Sequence, residues 1–427
     1  MSIYRVASVG ATIDAVVDVP GSKSIANRAL VCAALAEGES RLCNVPAGDD
    51  TEAMLACLSE MGLEIERESA HTADGTIRIV GGVSQFRPGP TTLHAGLAGT
   101  TARFLTAVSA LASGPHTIDG DQPLRTRPMA PLHDAMVSLG ASVRVGAAAG
   151  HLPVTIEGPF DLSVDEVTLR GDVSSQYLTA LMLVAPYFRD GLRLSLSTPL
   201  VSRPYVRMTA RVMEAFGVAG VEVGDRIIVV PRGRYVATSF LIEPDASSAG
   251  YPLAAAAICG GRVRVSGLTP DSIQGDAAFC HVLERMGCTV AQTHEGTTVS
   301  RGGSLSGLTI DMADLSDLVP TLAAVAVFAD SPTEIHGVGF IRNKESDRLG
   351  DLCAELRRAG IDAVESADGL VVHPGHVHMA TLATHDDHRL AMAFALVGLG
   401  AGGIAVENPD VVNKSWPAFW SMIESLR

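Results

Sequence analysis

The chain has 427 residues, 47% of them hydrophobic, 4% aromatic and 43 glycines. That is enough for two or three domains with sizeable cores. A net charge of −15, from 32 basic and 47 acidic residues, argues against a nucleic-acid or membrane surface as general partner and leaves room for a local basic pocket.

The first ten residues, MSIYRVASVG, lack the basic start and apolar run of a signal peptide. The longest uncharged run, Leu390 to Val406, is 17 residues long and carries four glycines, so it reads as core. Seven cysteines, at 32, 43, 57, 259, 280, 288 and 353, show no paired metal spacing and fit reduced thiols in a cytoplasmic protein. Of the 32 basic residues only three are lysine: Lys23, Lys344 and Lys414. In a chain that otherwise uses arginine, these mark places where an ammonium is needed, because it is compact and can lose its proton.

Residues 4 to 19 alternate and predict one or two strands. Pro20 and Gly21 break them, and Ser22 or Ser24 then caps a small-residue helix, IANRALVCAALAEG. Its N-terminus attracts anions, and Lys23 and Arg28 add full charges there. Gly21 and Lys23 are separated by Ser22, so this is not a Walker A loop. The pattern recurs: small apolar helices with polar starts are predicted near Ser24, Thr101, Ser175, Ser248, Asp317 and Asp387, at steps of 77, 74, 73, 69 and 70 residues. Between them run amphipathic helices that end at Gly62, Gly140, Gly217, Gly287 and Gly360, each just before a strand-like run. A sixth, PAFWSMIESLR, closes the chain.

Six modules of roughly 70 residues exceed solenoid length and read as βαβ-type units, three and three. The predicted division lies near Ser239–Pro244, and the class is α/β or α+β.

The polar helix starts and the loops between them carry the chemistry. Lys23, Ser24 and Arg28 lie at the first start, and Gly96, Gly99, Thr100, Thr101 and Arg103 at the second. Ser174, Ser175 and Gln176 form the third, Asp317 the fifth, and the run from His385 to Arg389 the sixth. RTRP (Arg125, Arg127), SRPY (Ser202, Tyr205), RNKESDR (Lys344, Glu345, Arg348) and NKSW (Lys414) lie between them. All three lysines fall in such motifs. A shared site for two phosphates or several carboxylates follows, and it needs no metal. Asp317 and Glu345 are the acids among these cations, either a plain helix cap and a solvated ion pair or acid–base groups facing the site. HDDH at 385–388 and HPGHVH at 373–378 offer metal-ligand types but no closed zinc pattern.

PGSKSIANRAL, LAGTTAR, RTRP, GDVSSQYL, LVSRPY, RNKESDRL, DDHR and NKSWP, in this order over nearly the whole chain, resemble the motifs of the enolpyruvyl transferase family. The resemblance implies two similar domains, each of three βαβαββ-type repeats in pseudo-threefold arrangement, here 21–240 and 1–20 plus 241–427. It also implies an interdomain cleft that closes on substrate. The implied reaction transfers the enolpyruvyl group of phosphoenolpyruvate to the 5-hydroxyl of shikimate 3-phosphate and releases phosphate through a tetrahedral intermediate.

By the same resemblance Asp317, Glu345 and Lys23 are catalytic. Lys23, Gly99, Arg127, Gln176, Arg348, Arg389 and Lys414 hold phosphoenolpyruvate. Lys23, Ser24, Arg28, Ser174, Ser175, Gln176, Ser202, Tyr205, Asp317 and Lys344 hold shikimate 3-phosphate. No cofactor or metal is expected, the partners are these two small substrates, and the chain is expected to be a cytoplasmic monomer.

The family often has Asn where this chain has Leu97, and some members have it where this chain has Phe340, so one polar contact is open at each place. A transferase acting on UDP-N-acetylglucosamine is the alternative within the fold. It calls for a reactive cysteine in the first half, whereas none lies between Cys57 and Cys259. A non-catalytic anion-binding protein is the alternative from another class, and it has no need of Asp317 and Glu345 together.

Overall fold

The computed structural model describes residues 2–68, 75–146 and 148–427. The chain divides into two compact units, Gly21–Ile242 and Met1–Pro20 with Glu243–Arg427.

In the first unit the repeat is clearest in its second copy. Strand Thr91–His94 leads into the buried helix Gly99–Val108, then strand Pro115–Asp119, helix Ala130–Ser138 and the hairpin of Ser142–Val145 with Val154–Glu157. The first strand pairs parallel to the second, and the second pairs antiparallel to the last. This is the predicted βαβαββ order. It repeats with strands Glu166–Leu169, Leu192–Leu196, Glu222–Val223 and Ile227–Val230. The copy at the start of the unit has no leading strand of its own; Ser239–Leu241, from the unit's other end, pairs parallel to Gly38–Val45 and supplies it.

The other unit closes in the same way with strands from the N-terminus. Ile13–Val17 lies parallel to Gly261–Ser266, and Ile3–Arg5 lies antiparallel to Ile404–Glu407. The alternating stretch after Met1 therefore forms two strands that complete two different sheets.

Two kinds of helix fill each repeat, for the reason the pattern predicts. Helix Lys23–Leu35 is buried at every position from Ile25 to Leu35, and small or apolar residues fill all of them but Asn27 and Arg28. Helix Arg203–Ala215 buries Val206, Met208, Thr209, Val212 and Met213 and turns its charges outward. Each fully buried Leu or Ile contributes about 1.5–3 kcal/mol. The alanines between them let the buried helices approach closely. Helices Ala246–Cys259, Val319–Ala326 and His388–Ala401 pack on one another in one unit, and Gly99–Val108 packs on Ser175–Val184 in the other. The five predicted stop glycines have φ of 103, 89, 92, 108 and 86°, the left-handed turn that passes helix to strand.

Three helix starts differ from expectation. The second buried helix begins at Gly99, two residues before Thr101. The fourth begins at Ala246, because Asp245 caps it by accepting Ser248 N–H at 2.7 Å. The fifth begins at Val319, with Asp317 in a preceding single turn, Ser316–Leu318, whose side chain makes no cap. Its carboxylate is thereby available for other partners. Among the described residues no helix is long and apolar enough to cross a membrane, and the run from Leu390 to Val406 is divided between helix His388–Ala401 and strand Ile404–Glu407.

Candidate active site

The groups singled out from sequence fall into one set in each unit. In Gly21–Ile242, Ser22 is the cap of the first helix, which places Lys23 at its first turn with Nζ 3.0 Å from Asp50 Oδ2. Asp50 is 4% exposed at the start of helix Asp49–Glu60, and its carbonyl accepts the Thr101 hydroxyl at 3.3 Å. Lys23 is thus oriented by a buried carboxylate that the sequence pattern did not single out.

Arg28 is bonded between helices. Its guanidinium is 3% exposed and donates to Thr209 Oγ1 at 2.8 Å, Ser24 O at 2.7 Å, Tyr205 O at 3.2 Å and Thr179 Oγ1 at 3.4 Å. It ties three helices together, stacks on Phe104, and burial pushes it down to about 10. Ser24 and Tyr205 contribute backbone carbonyls to this knot, and Ser202 starts the Tyr205 helix from a left-handed conformation, φ 53°.

Gly99, Arg127 and Gln176 converge with a residue that the expected ligand set leaves out, Arg103. Arg103 Nη1 donates to Gln176 Oε1 at 2.7 Å, and Gln176 Nε2 donates to Thr100 Oγ1 at 3.2 Å. A Cβ on Gly99 would collide with Arg103 Nη1 and sit 3.0 Å from Arg127 Nη1. Two guanidinium groups therefore lie over a helix start bare of side chain, the arrangement a phosphate or carboxylate needs. Ser174 caps helix Ser175–Val184 through Gln176 N–H at 3.3 Å, and Ser175 follows at its first position, buried. Arg125 is elsewhere, in a two-bond pair with Asp119.

In the other unit Arg348 is the hub. It is 1% exposed and donates to Asp317 Oδ1 at 3.0 Å, Glu345 Oε2 at 2.6 Å and Asp387 Oδ2 at 2.7 Å. Arg389 donates to the second oxygen of Asp317 at 2.7 Å and, through its backbone N–H, to Asp387 at 2.9 Å. Burial alone would raise the Asp317 carboxyl. The charges of Arg389, Arg348 and Lys344 outweigh it and hold the group well below the usual carboxylate range. Burial would lower Arg348, but Asp387, Glu345 and Asp317 hold it firmly charged.

Lys344 ends the turn Gly339–Asn343 with its ammonium 6.0 Å from the Phe340 ring centroid. The departure at Phe340 thus puts a ring face beside the lysine instead of an amide. Lys414 ends the turn Pro409–Lys414 and is 5% exposed.

Asp276 lies near this set. Burial first and the charge of Asp317 second raise its carboxyl to about 6, and it takes a short hydrogen bond from Ser247. Asp50, Arg103, Asp276 and Asp387 join these sets without a role assigned from the sequence. Arg103 and Asp387 lay inside named motifs, LAGTTAR and DDHR, and Asp50 and Asp276 did not. Among the described residues no group of three or more His, Cys, Asp or Glu is placed to hold a metal ion.

The comparisons agree in one direction. The family model described as EPSP synthase (3-phosphoshikimate 1-carboxyvinyltransferase) matches residues 8–423. The chain is 40% identical over 422 residues to a 3-phosphoshikimate 1-carboxyvinyltransferase of Nostoc punctiforme, covering 99% of this chain and 98% of that one. It is 39% identical over 423 residues to the one of Methanoculleus marisnigri, with the same coverage of both chains. In fold it is similar to the EPSP synthase of Acinetobacter baumannii, with a TM-score of 0.82 over 99% of this chain and 98% of that chain at 24% identity. The chain belongs to the EPSP synthase family.

Proposed function

We propose that this chain transfers the enolpyruvyl group of phosphoenolpyruvate to the 5-hydroxyl of shikimate 3-phosphate and releases phosphate. The observation that carries the assignment of roles is the buried guanidinium of Arg348, which gathers the two carboxylates Asp317 and Glu345. A protein that only bound anions would gain nothing from acids that compete for its cations.

In the first step the 5-hydroxyl oxygen bonds to C2 of phosphoenolpyruvate. Asp317 takes the hydroxyl proton and Glu345 protonates C3, leaving a tetrahedral intermediate that bears phosphate and a methyl group. In the second step the methyl group loses a proton, the double bond re-forms and phosphate leaves. Lys23 touches both substrates and supplies a further proton-handling group.

Arg348, Arg389, Arg127, Gln176, Gly99 and Lys414 receive phosphoenolpyruvate. Its anions would replace Asp317 and Glu345 as partners of the arginines, which releases Asp317 from ion pairing and makes it a stronger base. Ser24, Ser174, Ser175, Ser202, Tyr205 and Lys344, with Lys23, Gln176 and Asp317, receive shikimate 3-phosphate. Arg28 joins them by exchanging one of its bonds between helices. Bidentate guanidinium groups suit both phosphate and carboxylate, and fixed cations stabilise charge that moves in the transition state.

Thiol chemistry fits poorly. Burial pushes Cys57 up to about 12 and Cys259, Cys280, Cys288 and Cys353 up to about 11, which leaves them protonated. In this reading the enzyme acts as a cytoplasmic monomer without cofactor. Phosphate release from phosphoenolpyruvate in the presence of shikimate 3-phosphate tests it. Release that instead required UDP-N-acetylglucosamine, or none with either acceptor, would overturn it.

A further inference from the structure

Asp387 locks Arg348 and caps the helix that carries Arg389, so the loop that sets Asp387 sets both arginines. That loop is unusual. His385 and Asp386, neither a glycine, are both left-handed, with φ of 50° and 57°. Side-chain-bearing residues adopt this conformation at a cost, and two in a row persist only where contacts hold them.

The contacts come from helix Gly350–Arg358. Its Glu355 is 1% exposed, and its carboxylate accepts Ala383 N–H at 3.0 Å and faces His385 Nε2 at 3.2 Å. Arg358 Nε is 3.1 Å from the same carboxylate. His385 Nδ1 lies 3.6 Å from Asp351 Oδ1 on the other side of the ring. Asn408 Nδ2 holds the second strained residue by donating to Asp386 Oδ1 at 3.0 Å. A buried carboxylate with no part in the proposed chemistry is thus used to clamp the loop at its entrance and at its first left-handed residue.

We propose that His385, acting through Glu355, is a positioning residue for the phosphoenolpyruvate-binding arginines. The Nε2–Glu355 bond keeps residues 385 and 386 left-handed, which points Asp387 at Arg348 and orients Arg389. The inference rests on the assignment of those arginines to phosphoenolpyruvate.

The two ring nitrogens can be tested separately. A glutamine amide reaches about as far as Nε2, and an asparagine amide about as far as Nδ1. Steady-state kinetics of the full-length chain, varying each substrate in turn, are compared for wild type, His385→Ala, His385→Gln and His385→Asn, with a melting curve for each. We expect His385→Ala to raise KM for phosphoenolpyruvate on the order of tenfold, the effect of losing one hydrogen bond to a charged group. KM for shikimate 3-phosphate should stay within about twofold, because, of its groups, only Asp317 bonds to these arginines. His385→Gln should recover most of the loss and His385→Asn should not.

An equal rise in both KM values, an asparagine that rescues as well as glutamine, or a lowered melting temperature with unchanged kinetics would each overturn the proposal. If the alanine variant does not fold, the contrast between glutamine and asparagine decides alone. A wild type without turnover would sink the functional reading and this inference together. An active wild type with indifferent variants would sink this inference only.

Discussion

Arg348 and Asp317, 31 residues apart in sequence, meet at 3.0 Å with the arginine almost wholly buried. Asp317 is therefore held ionised by its arginines, and a carboxylate held that way is a weak base until an anion takes them. Asp317→Asn should lower turnover by roughly two to four orders of magnitude, the range for a lost acid–base group.

The same pair sets a dependence on acid. The folded Asp317 carboxyl lies below its unfolded value near 3.8, so its contribution is present above that value and lost as pH falls through the folded one. The stability difference between wild type and Asp317→Asn should be constant above about pH 5 and shrink below about pH 4. Denaturant melts across that range measure it. A difference unchanged down to pH 2 would mean the carboxylate gains nothing from its arginines.

Asp276 has the opposite sign. Its carboxyl is raised from 3.8 to about 6, first by burial and then by Asp317. The protonated form suits the folded state, so the stability it supports is complete below the unfolded value and lost as pH rises through about 6. Asp276→Asn should therefore melt a few degrees higher relative to wild type at pH 7.5 than at pH 4.5. Thermal melts at the two values check this, and no change in the gap would show that Asp276 is already matched by a cation.

Much of the fold was legible because it repeats. The five stop glycines and the small-residue helices were visible at fixed steps, since a left-handed turn at a helix end favours glycine and a buried helix favours small or apolar residues. The candidate site was legible only where a motif concentrated it. Lys23, Gln176, Glu345 and Arg348 stood in such motifs. Asp50 did not, because an acid in the first turn of an amphipathic helix is ordinary until the fold brings it to Lys23. Arg28 carried the right motif, yet Thr179 and Thr209, more than 150 residues downstream, claim its guanidinium. Nothing local announces a partner at that distance. Asp317 was expected to begin its helix, and the helix begins two residues later.

Gly99 offers a steric test. An added methyl would collide with Arg103 Nη1 and crowd Arg127 Nη1, both ends of flexible side chains that can move. Gly99→Ala should therefore fold normally but displace the Arg103–Gln176 bond, raising KM for phosphoenolpyruvate roughly tenfold, the worth of about 1.4 kcal/mol. KM for shikimate 3-phosphate should rise less, because, of the groups disturbed here, only Gln176 is shared between the two substrates' sets. Kinetics with both substrates varied would read this, and an unaltered KM for phosphoenolpyruvate would place that substrate away from the helix start.

Lys23 gives the sharpest test of the three retained lysines. Its ammonium sits 3.0 Å from Asp50 at a helix N-terminus. Arginine keeps the charge and can still pair with Asp50, so Lys23→Arg should melt within a few degrees of wild type. The larger head group, however, would intrude where the proposed function packs two substrates within hydrogen-bond distance. It also cannot give up a proton near neutral pH, since its pKa exceeds about 12. Turnover should fall by roughly two to four orders of magnitude, as for a lost proton-handling or electrostatic group. Lys414→Arg, by contrast, should mainly raise KM for phosphoenolpyruvate, as expected of a binding cation. Steady-state kinetics beside a melting curve separate these outcomes. Near-normal turnover for Lys23→Arg would show that charge alone is needed there, and the rarity of lysine in this chain would then say nothing about its chemistry.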